Sequence, residues 1–490
     1  MFSYLKEEAN LTYTENGAVT YKSSTSDCLD LFATVGALRN AENDEILARF
    51  IRAFTENRDL AIKTLFYARD VRGGLGERRV FRVILKWLAN HHPDTVRKNL
   101  VYVSEFGRFD DLLTLMDTRC QKDAIACIET QLKQDVAALA EENGSVSLLA
   151  KWLPSVNASN VEGVRLAKRI ARSLGMNDAE YRKTLSALRE RIHIIENDLR
   201  RKDYGFDYSK QPSGAMYKYR KAFLRNDPER YSRFIEDVQA GKATLHADTL
   251  APYQLVDPHL TYNGLAHIPK EEIASLNATW ASLPDFGDDS NTIAVIDTSG
   301  SMYGYYSPKP ASVALSLGIY FAERNTGVFA NHFITFSDRP QLIQLKGDNF
   351  CDKLNYVCSF NEIADTNIEA TFDLILRTAV KNQLPQEQLP ERLVIISDME
   401  FNDCAENASL SNFEHAKAKF EAHGYKLPRV VFWNVASRAM QSPVKMNEQG
   451  VMLVSGCTPR IFSMVASDAT DPYALMLEVL EAPRYEKIVA

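Results

Sequence analysis

One stretch constrains the fold more than any other: Thr292-Ile293-Ala294-Val295-Ile296-Asp297-Thr298-Ser299-Gly300-Ser301-Met302. The apolar run Ile293 to Ile296 leads directly into Asp-Thr-Ser-Gly-Ser, the pattern of a buried parallel strand ended by a Gly-containing turn. Asp297, Ser299 and Ser301 stand two residues apart on the loop leaving the carboxyl end of that strand. Open α/β sheets place their ligands there. One carboxylate and two hydroxyls form a hard-oxygen donor set, which suits Mg2+ (or Mn2+ or Ca2+) rather than zinc or copper.

This strand-then-Asp-x-Ser-x-Ser arrangement resembles the metal-ion-dependent adhesion site (MIDAS) of von Willebrand factor A domains. Two further positions of that pattern match. Thr366, in Asp365-Thr366-Asn367-Ile368, precedes a helix-like run, and Asp398 ends the apolar run Leu393-Val394-Ile395-Ile396-Ser397. The resemblance implies a five-residue ligand set: Asp297, Ser299, Ser301, Thr366 and Asp398. The alternative is a loop that keeps these residues as a hydrogen-bonded network and binds no metal.

At 490 residues the chain has room for two to four domains, each able to bury a core. No run approaches the ~20 apolar residues of a membrane span, and the first residues lack a basic-then-apolar leader. Seven scattered cysteines without a close pair argue for reduced thiols in a cytoplasmic setting and against a zinc site. The net charge of −7 hides an asymmetry, because Val161 to Lys242 carries 19 Lys and Arg against 12 Asp and Glu. A local excess of that sign fits a polyanion such as RNA, and it also fits an ordinary charged helical surface.

Along the chain, Asn10 to Tyr21 reads as a hairpin turning at Asn16-Gly17. From Ser26 the pattern becomes helical. Asp44 to Thr55, Asn57 to Asp70, Glu77 to Asn90 and Asp94 to Phe106 each carry apolar residues at three- and four-residue spacing. Short polar connections between them suggest stacked helix pairs. Val161 to Leu174 and Asp178 to Asp203 read as two further long helices. Four prolines between 252 and 284 mark 251–288 as a connector. Beyond it, apolar strands alternate with helices, the signature of a doubly wound α/β sheet. The expected organisation is therefore α plus α/β: a helical-repeat domain over 1–250, the connector 251–288, and an A-type domain over 289–490.

Two basic stretches stand out. In Arg69-Asp70-Val71-Arg72-Gly73-Gly74-Leu75-Gly76-Glu77-Arg78-Arg79, glycines, a helix start and arginines could form a phosphate-binding corner. The spacing is not that of a Walker loop. The competing reading is an interhelical turn whose arginines pair with Asp70, Glu77 and nearby carbonyls. Further on, Met216-Tyr217-Lys218-Tyr219-Arg220-Lys221 interleaves aromatics with bases, a chemistry that suits single-stranded nucleic acid and equally an amphipathic helix with snorkelling bases. The expected RNA-facing residues are Arg69, Arg72, Arg78, Arg79, Lys168, Arg169, Arg172, Lys218, Arg220 and Lys221.

The arrangement of the whole chain resembles the Ro autoantigen (TROVE) family. It is more similar still to a Ro-like family whose hallmark is Arg-Asp-x-Arg-Gly-Gly-x-Gly-Glu-Arg, present here from Arg69 to Arg78. Leu149-Ala150-Lys151-Trp152-Leu153-Pro154 and Val431-Phe432-Trp433-Asn434-Val435 are further phrases of that family, and Asn10-Leu11-Thr12 with Gly17 and Val19 is similar to the Ro opening. The resemblance implies a HEAT-like helical domain, with closure into a ring left open, that carries an A domain. It also implies binding of small structured or misfolded RNA, in a ribonucleoprotein. The A domain would dock a protein partner that completes the metal's coordination. The alternative is a metal-dependent protein scaffold without nucleic acid. No enzymatic activity is expected: Glu400 is the only nearby candidate base, and it reads as a solvated loop residue.

Overall fold

The unbroken apolar runs become the centre of a six-stranded sheet. The computed structural model describes residues 1, 5, 9–287, 290–304, 306–337, 339–360, 367–402 and 411–490. Two short antiparallel pairs come first, β1 (Leu11–Tyr13) with β2 (Val19–Tyr21) and β3 (Leu260–Thr261) with β4 (Gly264–Leu265). The main sheet contains β5 (Thr292–Asp297), β6 (His332–Phe336), β7 (Leu342–Gln344), β8 (Arg392–Ser397), β9 (Arg429–Asn434) and β10 (Val451–Ser455). Its order is β10-β9-β8-β5-β6-β7, parallel throughout except for β7, which runs antiparallel at one edge. Strands β5, β8 and β10 are buried along their whole length, as strands covered by helices on both faces must be. The α plus α/β architecture is as expected.

This order has one functional consequence. The chain lays down β5, β6 and β7 toward one edge, then returns beside β5 to build β8, β9 and β10 toward the other. The crevice between the carboxyl ends of β5 and β8 is thus the topological switch point, where doubly wound sheets bind ligands. Asp297 ends β5 and Asp398 follows β8, so both expected carboxylates face it. The helix Pro310–Arg324 holds β5 from behind at close range. A Cβ on Gly318 would lie 1.9 Å from Cδ1 of Ile296, so only glycine permits this approach.

The first half is helical, and several of its helices begin at a side-chain cap. Ser26 accepts from the Leu29 amide and Asn57 from the Leu60 amide, while Asn177 forms a capping box with Glu180. Helices Asn43–Glu56, Arg58–Arg69 and Arg78–His91 pack on one another in sequence order. The two halves share one continuous apolar core running from Ala18 to Ile488. At the junction, the turn after helix Asp27–Thr34 lies against β10, where the Gly36 amide donates to Ser455 Oγ at 2.9 Å. A smaller aromatic core, including Tyr208, Phe223, Tyr231 and Phe234, supports the basic stretch.

The expected connector 251–288 has structure of its own over its described residues. It contains the β3–β4 hairpin and the helix Lys270–Ala281, whose Trp280 stacks on Phe350 at 4.0 Å and donates to Glu323 at 2.6 Å. Among the described residues the cysteines are free thiols, and no helix is long and apolar enough to cross a membrane.

Candidate metal centre and basic surfaces

Asp297 is fully buried. Its Oδ1 accepts from the Ser299 amide at 2.9 Å and its Oδ2 from Ser397 Oγ at 2.6 Å. These bonds are what the Asp-x-Ser spacing and the parallel β5–β8 pairing provide: the first fixes the turn, and the second reaches across to the neighbouring strand. Burial, and then the nearby Asp398 carboxylate, push Asp297 up to about 7. Ser299 Oγ and Ser301 Oγ lie 3.0 Å apart. Asp398 is also buried, with Oδ1 accepting from the Glu400 amide at 3.2 Å and Oδ2 from Arg438 Nη2 at 2.9 Å.

The donor chemistry fits a hard divalent cation. Two buried carboxylates that repel each other beside two hydroxyls are the environment in which such an ion replaces electrostatic cost with attraction. Asp297, Ser299, Ser301 and Asp398 are brought together by β5 and β8; Thr366 lies outside the described residues. Asp297, Ser299 and Ser301 are linked by hydrogen bonds and Asp398 is paired with Arg438, so the no-metal reading keeps a physical basis. Among the described residues, no cluster of three or more His, Cys, Asp and Glu offers a different metal site.

Two features of this site escaped the sequence reading. Glu400 is not solvated: it is 1 % exposed, because the turn of the β1–β2 hairpin covers it. The Glu15 amide donates to Glu400 Oε2 at 2.8 Å, and Asn16 Nδ2 donates to the Glu400 carbonyl at 2.6 Å. Arg438, far along the chain, then bridges the hairpin and the site, pairing with Glu15 at 2.7 Å and with Asp398. No local spacing signals either contact.

The glycine-arginine hallmark is a structural knot. Arg69 is 2 % exposed and pairs with the fully buried Asp111 at 2.7 Å. Asp70 accepts from Arg484, from Tyr485 Oη at 3.0 Å and from the Arg72 amide at 2.9 Å. Burial alone would raise Asp70, but Arg484 and the loop amides hold its carboxyl below the usual range. Glu77 is buried against Arg39. The amides of Gly74, Leu75, Gly76 and Glu77 all donate to main-chain carbonyls of Tyr67, Ala68 and Asp70. The phosphate-cradle reading of this loop is therefore corrected, since its donors are spent internally. Arg69 is removed from the RNA-facing set for the same reason.

The other expected bases divide in two. Arg72 donates to the Glu105 carbonyl, and Arg79 to carbonyls of Arg39 and Ala41. Arg220 is also corrected: it is 6 % exposed and turned inward onto Glu272. Lys168, Arg169 and Lys221 are paired with Asp178, Asp117 and Glu272, and Lys218 lies over the Tyr219 ring at 4.8 Å. Arg78 and Arg172 are exposed and make no ion pair among the described residues, as are Arg165, Arg182, Arg225 and Arg233 on neighbouring helices. Partial burial lowers Arg78, and the guanidiniums of Arg108 and Arg82 lower it further.

The fold and this site define a class: a helical domain fused through a shared core to a doubly wound α/β domain, with a carboxylate–hydroxyl centre at the switch point. Residues 14–130 and 123–285 match a domain of unknown function (DUF2828), and residues 291–472 match a second (DUF7788). The first match spans more than half of the chain, which belongs to the DUF2828 family. An uncharacterized protein, L728 of Acanthamoeba polyphaga mimivirus, is 29% identical over 510 residues, covering 96% of this chain and 88% of the viral one. The crystal structure of the Deinococcus radiodurans RO (RSR) protein covers 96% of both chains at 15% identity and a TM-score of 0.34. A superposition that loose fixes no residue correspondence.

Proposed function

We propose that this chain is an RNA-binding protein of Ro type, whose basic helices hold the RNA and whose α/β domain docks a protein partner through a divalent cation. The observation that carries the RNA part is a set of exposed cations that make no ion pair among the described residues: Arg78 and, within the stretch 161–242 with its excess of Lys and Arg, Arg165, Arg172, Arg182, Arg225 and Arg233. Arg78 lies beside Arg82 and Arg108, which Asp110 and Asp111 already pair, and it adds an exposed positive charge there that a phosphate could meet. Such binding neutralises phosphates and releases counterions, so it weakens steeply with salt. The cation would be held by Asp297, Ser299, Ser301 and Asp398, and it would supply an open position for a partner carboxylate.

The test is the nucleic acid that copurifies with the protein, read by absorbance ratio and sequencing, beside an Arg78/Arg172/Arg225→Ala variant. Discrete RNAs lost in the variant and released by salt support the reading. A clean protein spectrum from the wild type would sink it. A second reading, a metal-dependent scaffold without nucleic acid, is favoured by the internal use of the hallmark loop. It predicts EDTA-sensitive capture of a protein partner with no RNA present.

A further inference from the structure

We infer that Arg438 is a built-in cation that competes with a divalent metal for Asp398, and that Glu15 on the N-terminal hairpin sets the strength of that competition. The inference rests on the metal-site part of the reading above. Its starting point is a charge count around one loop. Asp297, Asp398 and Glu400 are all buried, and the Glu15 carboxylate joins them from the hairpin. Among the described residues, Arg438 is the cation that ion-pairs with this group.

The guanidinium is shared. Nη2 meets Asp398 Oδ2 at 2.9 Å and Nη1 meets Glu15 at 2.7 Å, while the buried Nε has no hydrogen-bond partner. Arg438 is therefore held by two carboxylates rather than by a full donor network. Those two differ in environment. The Asp398 side chain is 1 % exposed, whereas that of Glu15 is 63 % exposed. Without a divalent cation, Arg438 neutralises Asp398, which would otherwise face Asp297 unpaired. A divalent cation using Asp398 has to displace that guanidinium or bind beside its charge, and either lowers affinity. Glu15 gives the guanidinium a second place to rest and adds negative charge near the site. Both effects favour the metal.

The hairpin is physically tied to this balance. Besides Glu15 and Asn16, Thr14 Oγ1 donates to the Phe401 carbonyl and Gly17 bridges to Asn402, so the loop after Asp398 is clamped by residues 14–17. Metal affinity at the sheet's switch point would thus be set by a segment almost 400 residues away in sequence.

The test is Mn2+ binding followed by electron paramagnetic resonance, with Mg2+ binding by calorimetry, on the full chain and three variants. Arg438→Met removes the charge and keeps most of the side-chain volume; its affinity should rise on the order of tenfold. Arg438→Lys keeps the charge and should stay within about threefold of wild type. Glu15→Gln, at an exposed position that does not endanger folding, should weaken binding. An arginine that merely held Asp398 in place would give the opposite sign for Arg438→Met, namely weaker binding. Unchanged or weaker binding in that variant, or no effect of Glu15→Gln, overturns the inference while leaving the metal reading intact. Absence of Mn2+ binding in the wild type and in all variants overturns the metal reading itself.

Discussion

Replacing Arg484 by Met tests whether the glycine-arginine loop is a structural knot. Asp70 is fully buried and accepts from Arg484, Tyr485 and the Arg72 amide, so the substitution leaves a buried carboxylate with neutral donors only. Breaking a fully buried ion pair costs about 3–5 kcal/mol. The Arg484 side chain is 35 % exposed, and solvent screening of that charge reduces the expectation to about 2–3 kcal/mol at pH 7. The effect should depend on pH. Asp70 lies below its ordinary 3.8 in the folded protein, so its contribution is fully present above that value and is lost as pH falls through the folded value. Once Asp70 is protonated it no longer needs the guanidinium, and the wild type and variant should converge. The assay is urea unfolding of both proteins from pH 7 downward, with hydrogen exchange of residues 483–490 to locate the loosening. A cost below about 0.5 kcal/mol at pH 7, or one that does not change with pH, would refute the reasoning.

Three further outcomes are expected. Asp297→Asn should stabilise the metal-free protein above neutral pH. Asp297 is pushed from 3.8 up to about 7. Between those values the folded state holds a proton that the unfolded chain has lost, and wild-type stability falls with rising pH at up to ~1.4 kcal/mol per pH unit. The gap between wild type and variant should therefore widen from pH 4 to pH 7 in EDTA, and a flat difference would show that Asp297 is not under strain. Adding Mg2+ to a hundredfold excess over its dissociation constant should stabilise the wild type by about 2.7 kcal/mol and Asp297→Asn by far less; thermal unfolding reads both. Removing Arg78, Arg172 and Arg225 together should lower the salt slope of RNA binding by about 2, measured by filter binding from low to moderate salt.

Much of the architecture was legible because local chemistry and global position agree. Val451 to Val454 and Leu393 to Ile396 are apolar on both faces, and the only place for such strands is inside a covered sheet. Asn16-Gly17 between two short extended runs announces a hairpin, and β1 and β2 pair around it. Boundaries failed where the chain turns without the usual residues. The pattern from Asp178 to Asp203 reads as one helix, yet it stops at Arg191 and restarts at Ile195, with His193 at φ 50° rather than a glycine or proline. Asp94 to Phe106 likewise divides into two short helices around a tighter 3-10 turn.

The site was legible in a different proportion. A ligand set built from one strand and its own loop leaves its trace in consecutive residues, so Asp297, Ser299 and Ser301 could be read together. Whether a charged residue faces solvent or a buried partner depends on chain segments hundreds of residues apart, and no spacing rule reports that. Arg69 and Arg78 belong to the same hallmark, yet one is locked against Asp111 and the other is exposed with no ion pair among the described residues. The same long-range closure joins Arg438 to Asp398 and Glu15, and Arg484 to Asp70. Both closures fasten one half of the chain to the other. On the proposed reading, a divalent cation at the switch point would be felt first at the hairpin that opens the helical half, and the core running from Ala18 to Ile488 would give that strain a path into the helices bearing Arg78, Arg165, Arg172 and Arg182. Coupling of this kind is reciprocal, so RNA bound on those helices would shift the affinity for the divalent cation by the same factor that the cation shifts affinity for RNA. Equal RNA affinities with Mg2+ and with EDTA would show that the two surfaces work independently.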